Sequence, residues 1–118
     1  MQYNWKTVVK SLIIDLQSAG FNLLGVNDGE DVYVELSNQS AIDIITSVDE
    51  SWATFIDSNG VKRSVFIVLG NEPYEMVCDY TYPKDMPKDD PIQVKWENAI
   101  EEFSDFWETH ACPLVKTV

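Results

Sequence analysis

Residues 51–70 read SWATFIDSNGVKRSVFIVLG. Two β-prone runs, SWATFID (51–57) and VKRSVFIVLG (61–70), flank Ser58-Asn59-Gly60. Asn and Gly tolerate the positive φ that a tight reversal demands, so the stretch predicts a β-hairpin. SVFIVL (64–69) is apolar at successive positions, the pattern of a central strand covered on both faces. These two strands commit the chain to an antiparallel sheet.

Downstream, NEP (71–73) reads as a turn. YEMVCDYTY (74–82) then alternates, with Tyr74, Met76, Cys78, Tyr80 and Tyr82 on one face, and predicts a third strand. PKDMPKDDP (83–91) is a proline-rich loop, in which Asp90 is placed to cap a helix whose first residue is Pro91. Ile92, Trp96, Ala99, Ile100, Phe103 and Trp107 recur at helical spacing, so that helix runs to Glu108 or Thr109.

Upstream, Trp5, Val8, Val9, Leu12, Ile13, Leu16 and Ala19 mark an amphipathic helix over 4–19, with Asn4 as N-cap and Gly20 as C-cap. FNLLGV (21–26) reads as a short strand, NDGED (27–31) as a turn and VYVEL (32–36) as a strand. Ser37 and Ser40 offer caps for a helix over 41–49, and a longer helix beginning earlier would also satisfy Leu36, Ile42, Ile45 and Val48. The expected fold is a single two-layer α+β domain over 1–118. Its sheet is a three-stranded antiparallel meander, or a four-stranded one, packed against two or three helices.

The chain has 118 residues, is 45% hydrophobic and 12% aromatic, and so has a globular composition. A chain of this length buries roughly two-thirds of its unfolded surface, enough to fold without a metal or disulfide. The N-terminal stretch, interrupted by Lys6, Lys10 and Asp15, lacks a secretory pattern, and no run reaches a membrane-spanning length. A cytoplasmic protein is the expectation, with its two cysteines reduced. In that setting Asn38-Gln39-Ser40 is a sequon without a use.

Candidate chemistry is sparse. ETHACP (108–113) holds the only histidine, His110, and one of the cysteines, Cys112. A cationic side chain followed by Pro113 suits the end of the last helix. A zinc site from His110, Cys112 and Cys78 lacks a fourth ligand and a knuckle spacing, and Cys78 is expected in the core. A Cys–His nucleophile is disfavoured because surrounding carboxylates raise a thiol's pKa. NDGED and DSNG lack calcium-loop spacing and are explained as turns. No phosphate loop or nucleophile elbow is present, and no cofactor is expected. Trp5, Trp96 and Trp107 are expected in the core, as are Tyr80 and Tyr82, which could otherwise line an interface.

The informative feature is charge. Twenty acids against eight bases give a formal charge of −12, which argues against direct contact with nucleic acid or an anionic membrane and favours a basic partner. Between Lys10 and Lys62 there are nine acids and no base: Asp15, Asp28, Glu30, Asp31, Glu35, Asp43, Asp49, Glu50 and Asp57. The last helix carries Glu97, Glu101, Glu102, Asp105 and Glu108, of which 97, 101, 105 and 108 fall in one stripe. Neighbours in that stripe stand about 5–6 Å apart along the axis, and their repulsion costs the helix a few tenths of a kcal/mol per pair.

Three functions follow as expectations. The first is a non-catalytic inhibitor or nucleic-acid mimic. Its last-helix carboxylates would occupy a basic groove of a nuclease or nucleic-acid-binding protein. The chain resembles small acidic inhibitors of that kind only in size and charge, and no family motif is present. The second is a binding or assembly module, in which the exposed face of the meander pairs with a second copy or a small apolar ligand is held between sheet and helices. The third is an enzyme using a carboxylate whose pKa is raised in a cleft.

Overall fold

The computed structural model describes residues 3–110. Its elements in chain order are α1 (Trp5–Ser18), β1 (Asn22–Asn27), β2 (Val32–Val34), α2 (Asn38–Thr46), β3 (Glu50–Ile56), β4 (Lys62–Val68), the 3-10 turn η1 (Pro73–Glu75), β5 (Val77–Tyr80) and α3 (Pro91–Thr109). The two-layer α+β expectation holds. The strand count is corrected to five, in one antiparallel sheet of order β2-β1-β3-β4-β5. The short runs before α2 form a hairpin of their own, and β1 then pairs with β3.

Local chemistry sets the helix ends. Asn4 and Ser37 cap α1 and α2 by accepting from Thr7 N–H and Ser40 N–H. Asp90 Oδ2 accepts from both Ile92 and Gln93 N–H at 3.0 Å, with Pro91 at the first helical position as expected. α1 ends in a Schellman turn, in which Gly20 has φ +102° while Phe21 N–H donates to Leu16 O and Gly20 N–H to Gln17 O. α2 starts at residue 38, three earlier than the 41–49 expectation, because Ser37 rather than Ser40 is its cap. The side-chain amides of Gln17 and Asn38 bond reciprocally at 2.8 and 2.9 Å and tie the end of α1 to the start of α2.

One core lies between the helices and the inner face of the sheet. Val8, Leu12 and Leu16 of α1, Ile42 and Ile45 of α2, and Trp96 and Phe103 of α3 meet Val26, Ala53, Phe55, Val65 and Ile67. Trp96 stands edge-on to Phe21, with ring centroids 5.0 Å apart. Trp96 and Trp107 are buried as expected, while Trp5 is half-buried against the core.

Three further expectations are corrected. Residues 73–75 form η1, so the third meander strand shortens to Val77–Tyr80. A register break between Ile67↔Val77 and Phe66↔Asp79 then turns Cys78 outward, where it is exposed rather than in the core. Of the row expected on one face, Met76 is fully buried, Tyr80 half-buried and Tyr74 and Tyr82 exposed. Finally, β4 has only its inner side in the core. Its outer Phe66 and Val68 lie outside the core cluster, although the sequence suits cover on both faces.

Candidate functional site

The last helix presents its carboxylates on two flanks. At about 100° of turn per residue, Glu97, Glu101, Asp105 and Glu108 cluster on one side, and Glu102 stands roughly 100° round from Glu101. Glu101, Glu102, Asp105 and Glu108 are exposed. Glu97 is half-buried and accepts from Gln93 Nε2 at 3.1 Å.

The stripe faces η1 and β5. Tyr80, at the sheet edge under α3, has its pKa raised by burial and then by Glu97, Tyr82, Asp79 and Glu101. Tyr74 is raised by Glu75 first and also by Glu72 and Glu108. Tyr3 Oη donates to Glu72 Oε2 at 2.6 Å. Two stretches remote in sequence, 72–79 and 97–108, thus converge on one edge, with tyrosines set among the carboxylates. Two ion pairs join described residues, the exposed Lys6–Asp43 pair at 3.2 Å and the buried Arg63–Asp57 pair at 2.7 Å, and neither involves this edge.

Glu102 instead faces a groove between α1 and α3 that Ser11, Asp15, Lys95, Asn98 and Phe106 also line. Partial burial and then the Glu102 carboxylate raise the pKa of Asp15. This is the described carboxyl whose pKa is held above its ordinary range, yet its side chain remains exposed.

Asp57 does not belong to the acidic surface. It is buried in the β3–β4 turn, where Oδ1 accepts from Asn59 and Val61 N–H and Oδ2 accepts from Arg63 Nη1. Arg63 Nε donates to Gln93 Oε1 at 3.0 Å, and its guanidinium lies 5.6 Å from the Phe21 ring centroid. Sequence reasoning missed this network. The available signal was register, because residues 63, 65 and 67 share one face and an inward arginine requires a buried acceptor.

The remaining motifs behave structurally. His110 caps the end of α3, with its ring 4.0 Å from Phe106 and its Nδ1 2.7 Å from Phe106 O. Cys112 lies outside the described residues, and no group of three or more potential metal ligands occurs among those described. Asp28 closes its turn by accepting from Glu30 and Asp31 N–H, which holds its carboxyl below the usual range. No described helix is long and apolar enough to cross a membrane. Compared with protein-family models, curated proteins and solved structures, the chain matches none.

Proposed function

We propose that this is a non-catalytic binding protein whose acidic edge occupies a basic groove on a protein partner, as an inhibitor or nucleic-acid mimic. The partner class is a nuclease or another nucleic-acid-binding protein. The observation that carries the reading is the convergence of Glu97, Glu101 and Glu108 of α3 with Glu72, Glu75 and Asp79 around Tyr74 and Tyr80. Asp105 lies in the same stripe, between Glu101 and Glu108. A nucleic-acid strand places a phosphate every roughly 3.4 Å of axis, and a partner built for that charge density meets a related pattern here. The interleaved tyrosines supply the rigid, amphipathic area that interfaces favour.

The test is capture of partners from a host lysate on the immobilised protein at about 0.1 M and 0.5 M salt, where screening weakens exposed charge contacts. A basic nucleic-acid-binding protein held at low salt, released at high salt and lost on reversing Glu97, Glu101 and Asp105 to lysine supports the reading. Retention indifferent to both salt and reversal overturns it.

A further inference from the structure

The helices cover one face of the sheet, and the opposite face carries apolar side chains on β2, β3 and β4. Val32, Val34, Trp52, Ile56, Phe66 and Val68 project from it, and none belongs to the core or packs against it. Val32 and Val34 are 68% and 60% exposed. Trp52 and Phe66 lean on one another at 4.8 Å, and Thr54 and Ser64 share a 2.8 Å hydrogen bond that satisfies the polar centre of the face. A shallow groove runs over it between Val34, Trp52, Thr54 and Lys62. A contiguous apolar surface of this kind marks an interaction site.

Charge selects the occupant. The alternation that points Trp52 outward also points Glu50 outward at one end of β3, and the alternation of Phe66 points Lys62 outward at the other end of the pair. Asp28 and Asp49 lie with Glu50 around the groove at the first end. Between the two ends β3 and β4 carry no outward charge, and Asp79 of β5, beside Phe66, stands at the rim of the face. A two-fold axis along the strands would set the acidic end of one copy on the acidic end of the other. An axis across the strands at the level of the Ala53–Val65 pair, midway between Glu50 and Lys62, sets Glu50 of each copy against Lys62 of the other. The face is therefore self-complementary, as an isologous interface requires. Strands of six, three, seven, seven and four residues, about 4.8 Å apart with about 3.3 Å of rise per residue, cover roughly 430 Å² per copy in plan. The pair covers on the order of 860 Å², the size of a weak, reversible association.

We propose that a second copy of this chain covers the outer face of the sheet, related by a two-fold axis across the strands, with Glu50 of each copy on Lys62 of the other. This leaves both α3 stripes outside the dimer; of the acidic edge only Asp79, paired with Phe66 at the rim of the covered face, comes near it, so self-association is tested separately from the partner proposed above.

Sedimentation equilibrium of the full chain from about 5 to 200 µM tests it. The expected result is reversible association to twice the chain mass. V34D, at an exposed position, abolishes association while far-UV circular dichroism is unchanged. E50K and K62E alone each weaken the dimer about tenfold, and E50K/K62E together restores it to within about threefold of wild type. A wild-type chain that stays monomeric throughout overturns the second copy as occupant, in favour of residues 111–118 or a different protein. A dimer that persists in V34D, or a double variant no better than the singles, overturns the geometry.

Discussion

Arg63 of β4 and Asp57 at the end of β3 form a 2.7 Å ion pair with both side chains withdrawn from solvent. The guanidinium is held from its other side by Gln93 of α3, so one buried cation joins the hairpin to the last helix. Among the described residues its Nη2 has no hydrogen-bond partner and Asp57 is its one ion-pair countercharge.

Removing that countercharge is expected to be severe. Asp57→Ala strands a buried guanidinium and two turn N–H groups, and is expected to cost about 3–5 kcal/mol by urea denaturation. Replacing Arg63 and Asp57 together by apolar residues should cost far less than either single change.

The same carboxyl sets an acid limb. Burial alone would raise its pKa, but the bonds from Arg63 and from Val61 and Asn59 N–H outweigh burial and hold it below the ordinary range. A depressed folded value means the stabilisation is complete above the unfolded carboxyl's pKa of about 3.9. It is lost as pH falls through the folded value. Stability measured from pH 5 down to pH 2 should fall, and Asp57→Asn should flatten that limb.

Asp15 works with the opposite sign. Its raised pKa, caused by burial and then by Glu102, makes the ionised form a small penalty that appears as pH rises through that value. Asp15→Asn should therefore stabilise the fold at pH 7 by no more than about 0.5 kcal/mol, given the side chain's exposure, and leave it unchanged near pH 3. A destabilised Asn variant at neutral pH would refute this sign.

Gly25 is required by a close approach rather than by its φ. A Cβ there would lie 2.5 Å from Tyr33 O on β2, against backbone that has no flexible end to yield. Gly25→Ala should cost about 1–3 kcal/mol and raise amide exchange at residues 32–34 before the rest of the sheet.

The carboxylate stripe trades helix stability for charge. Lysine at Glu101 and Asp105 should raise the melting temperature at low salt, through a few tenths of a kcal/mol per relieved pair, and the gain should vanish at about 0.5 M salt. The same variant is predicted to lose any basic partner.

What could be read in the chain beforehand was local. Asn59-Gly60 announces the β3–β4 hairpin, and Asp90-Pro91 announces α3, because each signal acts within a few residues. The register breaks at Leu24 and Cys78 could not be read, since alternation presumes an unbroken ladder. The Leu24 break leaves Leu23 and Val26 both facing the helices, opposite Phe55 and Ala53. The acidic edge was half legible. The stripe on α3 follows from helical spacing, but its union with Glu72, Glu75 and Asp79 depends on where η1 and β5 come to lie. Asp57 is one of the nine acids of the base-free stretch and is nonetheless buried, because charge along a sequence does not report burial.

The order of the strands also has a consequence in time. β1–β2, β3–β4 and β4–β5 each join neighbours in the chain, whereas β1 meets β3 across 34 residues at Asn22–Ile56 and 25 at Asn27–Trp52. Hairpins close in about 1–10 µs and are marginal alone, and the distant seam bears the larger loop-closure entropy. Folding is then expected to wait on the β1–β3 seam, so that truncating Val26 slows refolding, while changes at the outer strands β2 and β5 mainly hasten unfolding.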